Sequence, residues 1–423
     1  RSFVVRGSGT GLAGGAVPVE DSLLIVTTRM NQILEIDPVE RVAWVEPGVL
    51  NLDLSRATAE QGLYFAPDPS SQQTCSIGGN VANNSGGPHC LAYGVTSAHV
   101  LALEVVMPDG ELATFGDAVS EQRGYDLRGV VVGSEGTMGV VTKAAVRLTQ
   151  TPPDVITMLF GFASVADGAA TVSAIIAAGI IPAALEMMDH NAIRVVEDFV
   201  AAGLPREAEA VLLVEIDGLG VGIAHEAERI SELARANNAT SERTAADDLE
   251  RDLLWKGRKN AFGAVARLEP DYYLHDTVVP RKSLVEVLEK VNAVAENYGL
   301  TIVNVFHAGD GNLHPILAFD GSDGEVRERV HKAAVEIVQI SLDAGGSLSG
   351  EHGIGLEKRD YMTLVFSQAD LAAQELVRAT FDPEMRSNPA KVLPGGSRCG
   401  ELSAVGSIAV DEDVALRGDE MWV

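Results

Sequence analysis

Two histidines lie seven positions apart in His307-Ala-Gly-Asp-Gly-Asn-Leu-His314, between the apolar runs 300–306 and 315–319. Gly309, Asp310, Gly311 and Asn312 are turn residues, because they accept the positive φ that a tight hairpin needs. A hairpin here carries His307 and His314 to neighbouring places on two strand ends. A second run, Ser349-Gly-Glu-His-Gly-Ile-Gly355, offers Glu351 and His352. Two imidazoles and one carboxylate (His307, His314 and Glu351) make an open site for a divalent metal, with room left for substrate oxygens. Zinc is the first expectation, with Fe2+ or Mn2+ as alternatives. The competing reading is a glycine-rich turn with incidental histidines.

The elements that must position these residues belong to a chain of 423 residues, long enough for at least two cores. A net charge of −28 argues against nucleic acid or anionic lipid as a partner. No apolar run is long enough to predict a membrane-spanning helix. The first residues lack the pattern of a secretory leader and read as a strand already under way, so the chain is expected to begin inside a domain. Cys75, Cys90 and Cys399 form no CxxC pair, which favours a reducing compartment and excludes an iron–sulfur cluster built by this chain alone.

Residues 1–152 are rich in glycine, valine and short strand signals. Gly9 to Gly14 fits G-x-G-x-x-G, but a strand rather than a helix follows, so a Rossmann fold is excluded while a phosphate-binding loop is kept. The run 74–87 (TCSIGGNVANNSGG) lets backbone approach a ligand closely, with Ile77, Val81 and Ala82 as buried anchors of a loop. Gly133-Ser-Glu-Gly-Thr-Met-Gly139 is a further small-residue loop feeding a strand over 140–148. Thr151-Pro152-Pro153 marks a boundary. Beyond it strands alternate with helices, which predicts an α+β layer with helices on one face; among them are helices over 247–266 and 284–298. The tail after Gly395 is expected to be peripheral.

The runs RGSGTGLAGG, APDPSSQQTCSIGGNVANNSGG, GSEGTMGVVT, WKGRKNAF, VFHAGDGNLHP, SGEHGIG and NPAKVLP occur together and in order. In these the chain resembles the FAD-linked 2-hydroxy-acid dehydrogenases of the vanillyl-alcohol-oxidase superfamily, of the type found in glycolate oxidase. The resemblance implies an α+β fold: a PCMH-type FAD-binding domain over 1–152, a substrate or cap domain with an antiparallel sheet over 153–380, a return segment over 381–395 and a tail over 396–423. It implies FAD held by Arg6, Gly7, Ser8, Gly9, Thr10, Gly11 and Leu12, by Pro67, Ser76, Gly78, Gly79, Asn80 and Gly86, and by Glu135, Gly139, Val140 and Asn388. Family members carry further strands ahead of the phosphate loop, so the FAD domain is expected to be incomplete at its N-terminal side. Partners implied are a second FAD-binding subunit and an iron–sulfur subunit. The setting implied is cytoplasmic, peripheral at the inner face of the membrane without insertion.

Oxidation of a 2-hydroxy acid needs an electron acceptor, a carboxylate anchor, polarisation of the hydroxyl and a base. FAD is the first, Arg258 the second through a bidentate guanidinium grip, the metal the third and His352 the fourth. Glycolate or a small D-2-hydroxy acid such as D-lactate is the expected substrate. Arg258 could instead be a surface cation beside Lys256 and Lys259. His89, near the glycine loops, is read as a hydrogen-bonding residue rather than a covalent flavin link, and His99, His190, His225, His275 and His331 as structural. Three rivals stand: an oxygen-using oxidase, a metal-dependent hydrolase, and a non-catalytic flavin scaffold. The hydrolase leaves the glycine loops unexplained.

Overall fold

The computed structural model describes residues 1–19, 21–120 and 124–395; the expected tail over 396–423, with Cys399, lies outside them. The fold is α+β. A five-stranded antiparallel sheet runs in the order Ile33–Asp37, Val42–Val45, Val140–Arg147, Val100–Val106 and Leu112–Gly116. Its buried face packs on the helix Asn51–Thr58 and on Ile77 and Val81. Beside it Phe3–Arg6 and Leu23–Val26 pair in parallel, and the described residues of the loop between them form no helix. That arrangement agrees with the exclusion of a Rossmann fold.

The second sheet is larger and wholly antiparallel. Its order is Ala239–Thr244, Asp154–Phe162, Ala210–Gly218, Ala184–Asp189, Thr301–His307, Asn312–Phe319 and Asp271–Leu274, with Thr277–Val278 also on Asn312–Phe319. Helices cover both of its faces, not one as expected. The reason lies in the strands: Asn312–Phe319 is buried at every position, so neither face of the pleat meets water. Leu313, Leu317 and Phe319 join one core with Val287 and Val291 of the helix Leu284–Tyr298. Ile316 and Ala318, pointing the other way, join Ile193 and Val196 of His190–Val200.

Two local expectations also change. The run 74–87 contains a helix, Ile77–Asn83, capped by Ser76, whose hydroxyl accepts the Gly79 N–H. Ile77 and Val81, one turn apart, both face the core, and a Cβ at Gly78 would come within 2.6 Å of Pro47. Glycine there serves close packing at a cost in helix propensity. The helix expected over 247–266 is two, Asp248–Lys259 and Ala261–Val265, separated at Asn260.

Candidate active site

The hairpin forms as the sequence predicts. His307 pairs with Asn312 and His314 with Val305 across Thr301–His307 and Asn312–Phe319. Positions 305 and 307 share one face of the pleat, so the two imidazoles meet with ring centroids 5.1 Å apart, edge to face. His307 Nδ1 donates to Glu186 Oε1 at 2.7 Å, and His314 Nδ1 donates to the His275 carbonyl at 3.3 Å. A carbonyl can only accept, so His314 carries a proton on Nδ1, and the Glu186 carboxylate holds one on Nδ1 of His307; both rings turn Nε2 inward. Both Nε2 atoms converge on Glu351 Oε1, at 3.3 Å from His307 and 3.5 Å from His314. The three ligand atoms lie within 4.8 Å of one another, and the donor set suits a divalent transition metal. Burial disfavours charge on His307, but Glu186 and then Glu351 outweigh it and raise its pKa to about 10, so without a metal its Nε2 carries a proton too, which a bound metal would displace.

His352 stacks on His314 at 5.1 Å and 10°. Its Nε2 is 4.0 Å from Glu351 Oε1 and its Nδ1 4.0 Å from Asp276 Oδ2. Burial lowers its pKa to about 4 against the pull of Asp276, so the ring is neutral at pH 7. Asp276, His314 and His352 also lie close enough to hold a cation. Asp276 Oδ2, however, already accepts from Lys358 Nζ at 3.2 Å and from Ser349 Oγ at 2.6 Å, so that oxygen is committed.

A cavity of about 360 Å³ connects this cluster to the glycine loops. Gly7, Ser8, Gly9, Thr10, Gly11, Leu12, Ser76, Gly78, Gly79, Asn80, Glu135 and Gly139 line it, and Glu351 and His352 lie on the same wall. Gly7 packs against Ser76 so closely that a Cβ would collide with the hydroxyl, and Asn80 keeps a buried, unpartnered Nδ2 there. Small residues, backbone N–H groups and an unused amide suit a phosphate-bearing flavin nucleotide. Arg6, Pro67, Gly86, Val140 and Asn388 stand off the wall. Pro67 accepts from Asn51 through its carbonyl, Gly86 lies beside Glu351, and Asn388 Nδ2 donates to the carbonyls of Gly15 and Glu135 at 2.9 and 2.6 Å.

Residues 151–392 match the family described as FAD linked oxidases, C-terminal domain, and residues 1–116 match the FAD binding domain family. The chain belongs to the FAD-linked oxidases. It is 46% identical over 402 residues to the glycolate oxidase subunit GlcD of Escherichia coli, covering 95% of this chain and 81% of that one. The Bacillus subtilis subunit of the same name is 41% identical, covering 94% and 84%. A D-lactate dehydrogenase of Archaeoglobus fulgidus is 34% identical, covering 92% and 85%. A p-cresol methylhydroxylase structure aligns with a TM-score of 0.79 at 14% identity, over 92% of this chain and 84% of that one, which concerns the fold alone. The protein is an FAD-dependent oxidoreductase, and FAD is its cofactor.

In this FAD-linked oxidase, Arg258 is not a surface cation. It is 1% exposed, with Nη2 2.5 Å from Glu186 Oε2, while Nε and Nη1 are buried without hydrogen-bond partners. Glu186 therefore ties Arg258 to His307, and sequence reading missed it. Asp276 was missed as well. Glu186 lies mid-strand in Ala184–Asp189 and Asp276 between His275 and Thr277; a buried carboxylate must have partners, but nothing local says which ones. Among the other histidines, His89 engages Asp68 through Nδ1 at 2.9 Å and Glu215 through Nε2 at 3.0 Å. Both of its ring nitrogens are occupied, in keeping with a hydrogen-bonding role. Among the described residues no helix is long and apolar enough to cross a membrane.

Proposed function

We propose that this enzyme oxidises glycolate, or a small D-2-hydroxy acid such as D-lactate, to the 2-oxo acid. The observation that carries the proposal is the continuous cavity from the glycine loops to Glu351 and His352, in which a flavin and a hydroxy acid would share one chamber. The relatives named as glycolate oxidase subunits and D-lactate dehydrogenase support the choice of substrate. Residues 1–152 form the flavin part, 153–380 the substrate part, and 381–395 return to the flavin part.

FAD would supply the acceptor for the α-hydrogen as a hydride equivalent, and a divalent metal, zinc first and Fe2+ or Mn2+ next, would supply Lewis acidity at the substrate hydroxyl. His307 Nε2, His314 Nε2 and a Glu351 carboxylate oxygen would hold the metal. Arg258 anchors the substrate carboxylate with the donors that Glu186 leaves unused. His352 takes the hydroxyl proton at Nε2, the ring nitrogen turned toward Glu351. His352→Ala then abolishes flavin reduction while the metal stays bound. Electrons leave to a second FAD-binding subunit and an iron–sulfur subunit, met at the cytoplasmic face of the membrane.

The test is a screen of 2-hydroxy acids on flavin-loaded protein with a dye acceptor, repeated after chelation and with His352→Ala. Glycolate or D-lactate should bleach the flavin, and chelation and the substitution should each stop it. Near-normal bleaching in the variant, or a rate indifferent to chelation, removes the assigned base or metal. Rapid reoxidation in air would make it an oxidase instead.

A further inference from the structure

The segment Gly350–Gly355 carries Glu351 and His352 yet forms neither helix nor strand. Such a segment should be loose, because regular structure supplies none of its hydrogen bonds. Here all six successive N–H groups are donated to side chains. Gly350, Glu351 and His352 donate to the Asp276 carboxylate at 3.1, 3.3 and 3.0 Å. Gly353 donates to Ser349 Oγ at 2.8 Å. Ile354 and Gly355 donate to Glu135 Oε1 and Oε2 at 2.7 and 2.8 Å.

The two acids come from different parts of the molecule. Asp276 lies in the large-sheet part, between the strands Asp271–Leu274 and Thr277–Val278, and is fully buried. Glu135 lies in the flavin-side loop at φ +52°, itself fixed by its N–H to the Ala82 carbonyl and by Asn388 on its own carbonyl. Asn83 from the flavin side adds a bond to the His352 carbonyl at 2.8 Å. Gly353 and Gly355 have φ of +87° and +52°, so the trace that satisfies both acids passes through two glycines.

We propose that Asp276 and Glu135 are positioning residues that hold the 350–355 backbone from opposite ends, so that Glu351 and His352 are aimed only when both parts of the molecule are docked. Neither carboxylate needs to touch substrate for this. Charge-assisted N–H bonds to a buried carboxylate are short and directional, and displacement of a reacting group by about 1 Å costs on the order of a hundredfold in rate. The proposal rests on the functional reading above for the roles of Glu351 and His352, but its geometry can be tested apart from turnover.

The experiment compares flavin-loaded parent, Asp276→Asn and Glu135→Gln. Each amide keeps the size of the acid and replaces one acceptor oxygen with a donor. Hydrogen–deuterium exchange of peptides spanning 349–355 should quicken by about tenfold or more in both variants. Anaerobic flavin reduction by substrate should slow by about tenfold or more, with KM within about threefold of the parent. Unchanged exchange overturns the proposal, even if the rate falls, because the acids would then act by charge and not by position. Faster exchange with an unchanged rate overturns it too. If the parent oxidises no 2-hydroxy acid, the functional reading fails and exchange alone decides the clamp. If either variant does not fold, Ser349→Ala, which removes the Gly353 acceptor and a donor to Asp276, decides by the same two criteria.

Discussion

Glu186 shows how much of the candidate site depends on a residue whose side-chain partners lie far from it in sequence. Its side chain accepts from His307 Nδ1, 121 positions away, and pairs with Arg258. The first contact holds a proton on Nδ1, so that Nε2 is the nitrogen offered to a metal, and the second keeps a buried guanidinium charge compensated. Glu186→Gln keeps an acceptor for His307 but loses the charge. Metal affinity of the flavin-loaded protein should fall by about 10- to 100-fold, read by titration with zinc against a competing chelator. Affinity within threefold of the parent would mean that His307 needs no such support. At this scale His307, His314, Glu351 and His352 were legible because each stands in a short glycine-punctuated run whose spacing says something. Glu186 and Asp276 were not, because long-range pairing leaves no local trace.

At the scale of elements, the hairpin is the piece on which the two histidines depend, and Gly311 is its least replaceable residue. Its φ is +71°, and an added Cβ would run into the Val279 carbonyl, to which its own position is tied by the Val279 N–H donating to the Gly311 carbonyl. Gly311→Ala should therefore cost about 1–3 kcal/mol in strain and displace the strand ends that carry His307 and His314. A lowered melting temperature together with weakened metal binding is expected, and a variant with unchanged melting and metal affinity would show that the turn yields without disturbing the site. The hairpin and the helix Leu284–Tyr298 could be read locally because turn chemistry, apolar spacing and the closing Gly299 agreed. The helix Ile77–Asn83 could not, because its glycines and asparagines are poor helix formers, and the Ser76 cap offsets that only together with packing against Pro47 and the core. The second helical layer on the large sheet was hidden for a related reason: an apolar run shows that a strand is buried, and only the tertiary fold shows by what.

At the scale of the whole molecule, the apolar cores of the two sheets are separate clusters, and a polar strap joins them. His89 bridges Asp68, beside the flavin-side loops, and Glu215 in the strand Ala210–Gly218 of the large sheet. Lys259 closes on Asp68 at 3.0 Å, Trp255 Nε1 and Thr157 Oγ1 donate to Glu215, and Tyr93 donates to Asp217. Burial opposes charge on His89, but Asp68 and Glu215 outweigh it and raise its pKa from 6.5 to about 10. Burial likewise opposes charge on Asp68, but His89 and Lys259 hold it below its ordinary 3.8. A raised folded pKa means that the His89 contribution is complete below 6.5 and is lost as the pH climbs through 10. The depressed Asp68 contributes above 3.8 and fails only in stronger acid. The strap is therefore at full strength between those two ordinary values. His89→Gln, which leaves two buried carboxylates without their shared cation, should cost about 3 kcal/mol there. The gap in melting temperature between parent and variant should be widest near about pH 5 and narrow steadily toward about pH 10. A gap that stays constant across that range would mean that His89 binds as a neutral ring, and Lys259 on Asp68 would then be the ion pair left in the strap.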